Sequence, residues 1–340
     1  MQTKDYDYFL PKKLIAQRPR KKRDQSRLLV VDRKTKTIKH QSFFNIIDYL
    51  NKDDVLVLNN SKVIPARFYT YKKDTKAKIE ILVLKIENNL IEALIRPSRK
   101  VKVGSILEVM TKDCSLTCLQ EKEEGIRVFQ VNYNDNFNDL LQEIGEMPLP
   151  PYITTKLKEK DRYQTVYANI LGSSAAPTAG LHFTKGLLDK INNKGVKIVF
   201  ITLHVGLGTF RPIKVDKIKD HKMHQEFYQI DEKTAKIINQ AKEKGNKIIA
   251  VGTTVARTLE TVIIKEKKII PSKGWTNIFI YPPYQFKIVD LLITNFHLPK
   301  STLLMLVSAF SSKDLIMKSY QEAIKKEYYF FSFGDSMLIK

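Results

Sequence analysis

Beyond Pro151, the pattern of apolar and polar positions alternates between continuous apolar runs and runs with helical spacing. A continuous apolar run is typical of a strand covered on both faces, and apolar positions three and four residues apart are typical of an amphipathic helix. Thr184 and Ser301 stand at the starts of two helical runs, where their hydroxyls can serve as N-caps. The predicted strands are 196–201, 247–251 and 288–293, and the predicted helices are 185–194, 231–245, 254–264 and 302–310.

This alternation of strands and helices predicts an α/β fold with a largely parallel, layered sheet. Two earlier apolar runs, RLLVVD at 27–32 and DVLVLNN at 54–60, are expected to join the same sheet. Because 340 residues exceed the size at which one hydrophobic core usually keeps growing, we expect two domains.

Between about residue 68 and residue 135, the pattern changes to short β-rich runs separated by turn signals. Asn88-Asn89 and the segment EKEEG at 121–125 each separate two such runs and predict hairpins. A short helix then ends at Gly145, and the proline-rich MPLPPY makes a stiff connection. The spacing favours a small antiparallel barrel or sandwich, inserted at 68–150 between the two parts of the α/β domain, 1–67 and 151–340.

The chain carries 58 basic and 36 acidic residues, a formal net charge of +22. Such a charge favours nucleic acid or an anionic membrane surface as a partner, although a lysine-rich composition without any partner would give the same value. Lys outnumbers Arg by 46 to 12, so arginine is expected mainly where a planar, bidentate donor is needed. The arginines singled out for this reason are Arg27, Arg67, Arg96, Arg99, Arg211 and Arg257.

The two cysteines, Cys114 and Cys118, are too few for a disulfide framework or a four-cysteine zinc site. No run approaches 18 apolar residues, and the first residues lack an apolar segment behind a basic one. We therefore expect a reduced, cytoplasmic protein that is neither secreted nor membrane-spanning.

Polar segments follow three of the predicted strands directly, at 203–210, 252–254 and 294–297, and the first two contain glycine. Because the carboxyl ends of parallel strands share one edge of a sheet, these loops are expected to converge on a ligand site. The segment GTT at 252–254 also opens a helix, whose N-terminal N–H groups suit a carboxylate or phosphate. GLG at 206–208 lacks the third glycine of a dinucleotide fingerprint, so no Rossmann cofactor site is predicted.

Histidines are concentrated in or near these polar segments, and the five concerned are His182, His204, His221, His224 and His297. Imidazole changes charge near neutral pH, so hydrogen bonding or proton transfer is a suitable role, although a structural role is equally open for each. Asp220, His221, His224 and Glu226 could instead hold a metal, but their spacing is not that of a helical zinc pair. The small-residue segment AAPTAGLHFT at 175–184 would let the backbone approach a nucleoside closely, or would pack tightly under the sheet.

Long motifs, in order along almost the entire chain, carry a resemblance to a known family. They include LPKKLIAQRP, LVLNNSKVIPARF, AAPTAGLHFT, TLHVGLGTFRPI, TNFHLPKSTLLMLVSAF and YYFFSFGDSML. These motifs resemble the S-adenosylmethionine:tRNA ribosyltransferase-isomerase family of queuosine biosynthesis. The resemblance implies a three-layer α/β/α domain that carries an inserted small antiparallel β-barrel.

The resemblance also implies a reaction. The ribosyl group of S-adenosylmethionine is transferred and isomerised onto the aminomethyl group of 7-aminomethyl-7-deazaguanine at the tRNA wobble position, which gives epoxyqueuosine-tRNA, adenine and methionine. The sulfonium acidifies the adjacent ribose carbon, so the chemistry needs a proton acceptor and a donor but no metal and no cofactor. The implied partners are S-adenosylmethionine, consumed as a substrate, and the tRNA anticodon stem-loop. We expect a monomer and no membrane partner.

The loops and the resemblance together give the candidate site residues. The candidates for catalysis are His204, His224, Glu226 and His182. The candidates for substrate binding are Asn60, Arg67, Thr178, Gly180, Gly206, Gly208, Thr253, Thr254, Arg257, Asn295, His297 and Tyr284. Thr254 and Arg257 are expected at the methionine carboxylate, and Tyr284 either stacks on a base or packs in the core.

Two other functions are compatible with the sequence. An RNA methyltransferase would use S-adenosylmethionine but release S-adenosylhomocysteine instead of adenine and methionine. A non-catalytic RNA-binding protein would turn over neither small molecule. The uncharged loops at the strand ends argue against a pure binder, which has little need of a concave site rich in His, Thr and Asn.

Overall fold

The computed structural model describes residues 1–157, 159–206, 213 and 215–340, and the chain divides into two compact units. The first unit comprises Met1–Lys62, Pro150–Ile170 and Ala176–Lys340. The second comprises Val63–Leu149 and Leu171–Ala175. The first unit is therefore discontinuous in sequence.

Strands and helices alternate in the first unit, whereas the second is built mainly of strands. The strands are, in chain order, β1 (Arg27–Val31), β2 (Ile38–Ser42), β3 (Val55–Asn59), β4 (Ser61–Val63), β5 (Arg67–Lys72), β6 (Lys78–Glu87), β7 (Leu90–Arg96), β8 (Ile106–Glu108), β9 (Ser115–Glu121), β10 (Ile126–Asn132), β11 (Ile170–Ser173), β12 (Lys197–Leu203), β13 (Glu226–Ile230), β14 (Ile248–Val251), β15 (Ser272–Thr276), β16 (Leu291–Asn295) and β17 (Ser336–Ile339). The helices are α1 (Phe137–Ile144), α2 (Lys185–Asn193), α3 (Glu232–Glu243), α4 (Thr253–Glu266), α5 (Thr302–Phe310) and α6 (Lys313–Lys325).

The described residues of the first unit contain a nine-stranded sheet in the order β15-β13-β12-β3-β14-β16-β17-β1-β2. Its central strands β12, β3, β14 and β16 run parallel to one another, and β17 runs parallel to β1. The pairings of β1 with β2, β12 with β13, β13 with β15, and β16 with β17 are antiparallel. The predicted α/β class is confirmed, and the parallel pairs are concentrated in the middle of a mixed sheet. The connection from β1 to β2 is too short for the crossover that a parallel pair requires.

Helices cover both faces of this sheet, as the continuous apolar runs predict. All five residues of β3 are buried. Leu56 and Leu58 pack in one apolar cluster with Leu187 and Ile191 of α2. Helices α3 and α4 contact β3 as well, and the alternation of side chains along a strand directs Val57 to the face opposite Leu56 and Leu58. The N-caps Thr184 and Ser301 are confirmed, because each hydroxyl accepts a backbone N–H of its helix.

The second unit contains a closed barrel in the order β10-β7-β6-β5-β8-β9. All six pairs of neighbouring strands in it are antiparallel. The two predicted hairpins are present as β6–β7 and β9–β10, and Asn88 adopts a left-handed conformation with φ of 54°. Cys114 and Cys118 are buried free thiols in this unit. Burial raises the pKa of Cys114 to about 11, which leaves its thiol protonated and unreactive at neutral pH.

Candidate functional site

A cleft, whose empty volume is about 600 Å³ with open solvent included, lies where β14 and β16 end and where α4 and α5 begin. Its lining includes the strand-end segments 252–254 and 294–298 and the small-residue segment 176–179. The site residues predicted from sequence that line this cleft are Thr178, Thr253, Thr254, Asn295 and His297. The structure thus brings together residues that lie more than 100 positions apart in the chain, at the edge of the sheet where parallel strands end.

The N-terminus of α4 forms one wall of the cleft. Gly252 precedes the helix with φ of 92°, a conformation that a side chain rarely adopts. Thr253 and Thr254 occupy its first turn, and Thr254 Oγ1 accepts a hydrogen bond of 3.3 Å from Asn59 Nδ2. The helix is 14 residues long, so the partial positive charge of its N-terminal N–H groups favours an anion at this wall.

Asn295 ties three segments together at the base of the cleft. Its Oδ1 accepts a hydrogen bond of 3.0 Å from Thr178 Oγ1. Its Nδ2 lies 3.2 Å from both the Phe331 carbonyl oxygen and His182 Nε2. Because Asn295 is buried at the end of β16, these bonds position the loops around it on the rigid sheet.

His182 is buried behind the cleft lining, and both of its ring nitrogens have protein partners. Ser26 Oγ lies 2.7 Å from Nδ1, and Asn295 lies at Nε2. Burial is the largest cause that lowers the pKa of His182 to about 4, so the ring is neutral at pH 7. This geometry gives His182 contact with Asn295 rather than with the cleft.

The small-residue segment that contains His182 is close-packed. A methyl group added at Gly180 would lie 2.0 Å from the Tyr167 hydroxyl and 2.9 Å from Thr165 Cγ2. Gly180 does not line the cleft, whereas Ala176, Pro177, Thr178 and Ala179 do. The segment therefore packs tightly on one side and lines the cleft on the other, and its contact with a nucleoside stays a prediction.

His297 is an imidazole in the cleft lining. Its Nε2 lies 2.8 Å from Thr294 Oγ1, and its backbone N–H donates to the Tyr320 hydroxyl at 2.8 Å. Burial lowers the pKa of His297 to about 3, so this ring is also neutral at pH 7. The bond to Thr294 leaves Nδ1 as the ring nitrogen with which a ligand can interact.

A second group of predicted residues forms a buried charged cluster beside the strand β12. Glu226 accepts the Gly206 N–H at 2.9 Å and forms an ion pair with Arg257. Both charged side chains are only 3% exposed. Arg257 was expected at the methionine carboxylate, but its charge is compensated by Glu226 and its side chain does not line the cleft.

His204 directly follows β12 and precedes Val205; Val205 lines the cleft, whereas His204 itself does not. Its Nδ1 lies 2.8 Å from Ser61 Oγ, and its ring stacks on Phe227 with a centroid distance of 5.7 Å. Burial lowers the pKa of His204 below its usual value, which favours the neutral ring at pH 7. The hydrogen bond to Ser61 leaves Nε2 available for proton transfer.

The remaining predicted residues of the first unit have other surroundings. Asn60 Oδ1 accepts a hydrogen bond of 2.7 Å from Thr202 Oγ1. The Tyr284 hydroxyl donates to Glu260 at 2.6 Å, and its ring packs edge-on against Phe286. These contacts favour the packing interpretation of Tyr284 over base stacking. His224 is exposed.

Two other predicted residues lie outside the described part of the first unit. Arg67 belongs to the second unit, where its Nε lies 3.4 Å from Glu80 Oε1 and its Nη2 donates to the Leu149 carbonyl at 3.3 Å. Gly208 lies outside the described residues, as does Arg211.

Sequence reasoning missed several residues of the cleft. Tyr152 and Ser332 both line it, and the Tyr152 hydroxyl lies 2.7 Å from Ser332 Oγ. Phe331 packs against the Tyr152 ring with a centroid distance of 4.7 Å. These residues come from MPLPPY and YYFFSFGDSML, two motifs of the resemblance, but neither segment directly follows a strand predicted from the hydrophobic pattern.

Two features are absent from the part of the chain that the structure describes. No helix there has both the length and the apolar character needed to cross a membrane. Within the same residues, no group of three or more His, Cys, Asp and Glu side chains is arranged to hold a metal ion. The segment 220–226, considered above as a metal site, therefore forms no such group.

Known proteins match this chain along its full length. The model of a family described as queuosine biosynthesis protein matches residues 3–339. Proteins from Staphylococcus saprophyticus subsp. saprophyticus and Staphylococcus haemolyticus, each named S-adenosylmethionine:tRNA ribosyltransferase-isomerase, are 53% and 54% identical over 340 residues. In both comparisons the match covers 100% of each chain.

A solved structure is similar too. The crystal structure of S-adenosylmethionine tRNA ribosyltransferase from Thermotoga maritima is 43% identical, with a TM-score of 0.58, and the match covers 99% of this chain and 100% of that one. The family match, the full-length identity of the relatives and the shared fold agree with one another. The chain therefore belongs to the queuosine biosynthesis protein family.

Proposed function

We propose that this protein is an S-adenosylmethionine:tRNA ribosyltransferase-isomerase. It transfers and isomerises the ribosyl group of S-adenosylmethionine onto the aminomethyl group of 7-aminomethyl-7-deazaguanine at the tRNA wobble position. The products are epoxyqueuosine-tRNA, adenine and methionine. The observation that carries the proposal is the full-length identity of 53% and 54% with relatives of that name. A cleft at the sheet edge, whose largely apolar lining contains a few convergent polar side chains such as those of Thr254, Asn295 and His297, supports it.

S-adenosylmethionine occupies the cleft in this proposal. The methionine carboxylate lies at the N-terminus of α4, where backbone N–H groups and the Thr254 hydroxyl can interact with an anion. The nucleoside lies against Ala176 and Ala179, whose small side chains permit close approach. Arg257 acts indirectly. It forms an ion pair with Glu226, and Glu226 in turn accepts the backbone N–H of Gly206 and so fixes this residue beside the cleft.

The reaction needs one group to accept a proton from the ribose carbon beside the sulfonium and one to supply a proton to the departing adenine. His204 is our candidate acceptor, since Ser61 orients its ring and burial keeps it neutral and ready to take a proton. His297, as a neutral imidazole, forms a hydrogen bond with S-adenosylmethionine within the cleft. His182 positions Asn295 and does not itself contact S-adenosylmethionine in the cleft.

The test is product analysis with tRNA that carries the aminomethyl base. We expect adenine and methionine in equal amounts, together with a ribosylated base. Release of S-adenosylhomocysteine would identify a methyltransferase instead, and RNA binding without turnover would identify a non-catalytic binder. In the same assay, His204→Ala should slow adenine release by roughly 100- to 10,000-fold with S-adenosylmethionine affinity little changed. The exposed His40 serves as the matched control for histidine removal.

We further propose that a monomer in the cytoplasm contacts the anticodon stem-loop of the tRNA. The target base lies in that loop and must leave the stack to meet the ribose. An isolated stem-loop should therefore bind nearly as tightly as the full tRNA. Light scattering of the complex should give one protein chain per stem-loop, and a mass of two chains would contradict the monomer.

A further inference from the structure

A second cavity, of about 290 Å³ including open solvent, adjoins the cleft in the first unit. Ser332 lines both cavities. His182 lines the second cavity, and its partner Asn295 lines the cleft. The two cavities are therefore separated by a wall only one or two side chains thick.

Three arginines line this second cavity, which we call the arginine pocket: Arg20, Arg23 and Arg162. Among its described lining residues there is no aspartate or glutamate. Since the chain has only 12 arginines among 58 basic residues, three in one pocket is a strong local concentration. Arginine is the side chain whose planar guanidinium matches a phosphate with two parallel hydrogen bonds.

The guanidinium groups are held in place largely by neutral partners. Arg23 donates to the carbonyl oxygens of Leu181 at 3.2 Å and Asp161 at 3.1 Å. Arg162 donates to the carbonyl oxygens of Lys21, at 3.3 Å, and Arg20. Carbonyl oxygens orient a guanidinium but do not neutralise its charge. The bonds therefore fix the positions of two positive charges without cancelling them.

Two carboxylates compensate the pocket in part, because the charge of Asp161 favours the ionised form of Arg23 and Asp335 interacts with Arg20. Asp335 accepts a hydrogen bond of 3.0 Å from Arg20, but it also lies 3.4 Å from Arg27 Nε and accepts the backbone N–H of Arg27. Burial, followed by repulsion from Arg162, lowers the pKa of Arg23. Burial acts by removing solvent, whereas the repulsion shows that the charges of Arg23 and Arg162 lie close enough to interact.

Two buried donors in the pocket residues have no partner among the described residues. They are the Nε atoms of Arg20 and Arg162. A buried N–H without an acceptor costs free energy, so such groups usually mark a bound water, an ion or a ligand. Here the unsatisfied donors belong to two of the three arginines that line the same cavity.

We propose that the arginine pocket binds a phosphodiester group of the tRNA, next to the nucleotide that is modified. The proposal rests on the proposed function, which supplies the RNA partner. The surrounding surface favours RNA over a free anion, because Arg18, Lys21 and Lys22 lie exposed in the segment that carries Arg20 and Arg23. A single phosphate ion in the pocket would not contact these exposed basic side chains, whereas a polynucleotide would place further phosphates beside them.

The experiment measures affinity for an anticodon stem-loop by fluorescence anisotropy as a function of salt. Arg162→Gln should weaken binding roughly tenfold and reduce the slope of log K against log salt by about 0.7, the value for one phosphate contact in single-stranded RNA. Arg162→Lys should retain part of the affinity because it keeps the charge but lacks the fork. S-adenosylmethionine affinity should equal that of the wild type in both variants.

Arg33→Gln is the matched control. Arg33 is also half-buried and also donates to two carbonyl oxygens, those of Phe310 at 3.0 Å and Asp290 at 2.7 Å, but it does not line the arginine pocket. Both Gln variants lose comparable anchoring bonds, so their thermal stabilities should fall together. Only Arg162→Gln should lose RNA affinity. Should Arg162→Gln fail to fold, Arg20→Gln replaces it, since the Arg20 side chain bonds the Asp335 carboxylate and, among the described residues, no backbone carbonyl.

A second measurement identifies the anion. Stem-loops that each carry one neutral methylphosphonate are bound to the wild type and to Arg162→Gln. We expect one position at which the neutral linkage weakens RNA binding to the wild type. At that position it should cause no further loss of RNA affinity in Arg162→Gln, which already lacks the contact. The absence of any such position would overturn the proposal. Millimolar phosphate that raises the melting temperature of the wild type alone, without a change in RNA affinity, would assign the pocket to free phosphate.

Two further outcomes are separable. Weaker S-adenosylmethionine binding in Arg162→Gln with unchanged RNA affinity would assign the pocket to the methionine carboxylate and refute the phosphodiester. Wild-type protein that releases no adenine from S-adenosylmethionine and tRNA would refute the proposed function. Normal adenine release together with equal RNA affinity in wild type and Arg162→Gln would refute this inference alone.

Discussion

At the scale of single residues, the site depends on buried polar side chains whose hydrogen bonds are nearly all made within the protein. Asn295 uses its oxygen and its nitrogen to join Thr178, His182 and the Phe331 carbonyl. Buried polar groups are costly unless they are paired, so such a network specifies one arrangement of the loops. The same burial keeps His182 and His297 neutral.

Neutral buried histidines make stability depend on pH. The folded state holds the pKa of His182 at about 4, below its usual 6.5, so between these values the unfolded chain binds a proton that the folded chain excludes. Stability should therefore fall as pH decreases from about 6.5, and remain level above it. Between pH 7 and pH 5 we expect His182 to account for about 2 kcal/mol of this loss.

Urea unfolding at pH 7 and pH 5 measures this effect. His182→Gln removes the titrating group, so its stability should decrease less across this range than that of the wild type. Ser26→Ala is the control, because it removes the hydroxyl beside Nδ1 but keeps the buried imidazole, so most of the decrease should remain. An equal pH dependence in the wild type and His182→Gln would show that His182 is not buried in its neutral form.

At the scale of elements, the turn at Thr178–His182 connects the cleft with the core. Gly180→Ala would bring a methyl group against the Tyr167 hydroxyl at 2.0 Å, so the turn must shift. We expect a loss of stability of about 1–3 kcal/mol and weaker S-adenosylmethionine binding, because Thr178 and Ala179 would move with it. Thermal unfolding and calorimetric titration measure the two effects.

Two further variants test this explanation. Tyr167→Phe removes the hydroxyl that the new methyl group would meet, so Gly180→Ala/Tyr167→Phe should recover part of the loss. Gly186→Ala is the control, because no atom lies within 4 Å of its added methyl group and alanine favours helix α2. No recovery in the double variant would place the strain elsewhere in the turn.

Elements defined by local patterns were predictable from the sequence. The hairpin around Asn88 and the capped helices α2 and α5 follow from residues that are neighbours in the chain. The position of β17 could not be predicted in this way. It pairs with β1, which lies some 300 residues away in the chain, and a local sequence pattern does not show which distant strands pair.

The same distinction holds for the site. The predicted convergence of the strand-end loops is confirmed for Thr254 and Asn295, since parallel strands must end at one edge. Tyr152 and Ser332 were missed because their segments reach the cleft only through long-range packing. The pairing of Arg257 with Glu226 was not predicted for a related reason. From sequence alone, a charged side chain can bind a ligand or form an ion pair with another residue of the protein.

At the scale of the whole molecule, the formal charge of +22 makes RNA binding electrostatic. The logarithm of the affinity for an anticodon stem-loop should fall linearly with the logarithm of salt concentration, with a slope of about −0.7 for each phosphate contacted. Anisotropy titrations between low and physiological salt measure this slope. An affinity independent of salt would mean that the excess of lysine reflects composition rather than RNA binding.

The place of β17 in the sheet has a consequence for the order in which the fold can form during translation. β17 lies between β16 and β1, yet it is synthesised after every other strand of that sheet. The ribosome makes β1 and β2 early, but they cannot be hydrogen-bonded to the rest of the sheet until β17 has emerged and paired with both β1 and β16. The barrel strands β5 to β10 need no later segment for their mutual pairing. The barrel can therefore be complete on the nascent chain while the catalytic sheet is still open, and the cleft cannot be complete before Phe331 and Ser332, the last residues of its lining, have been synthesised.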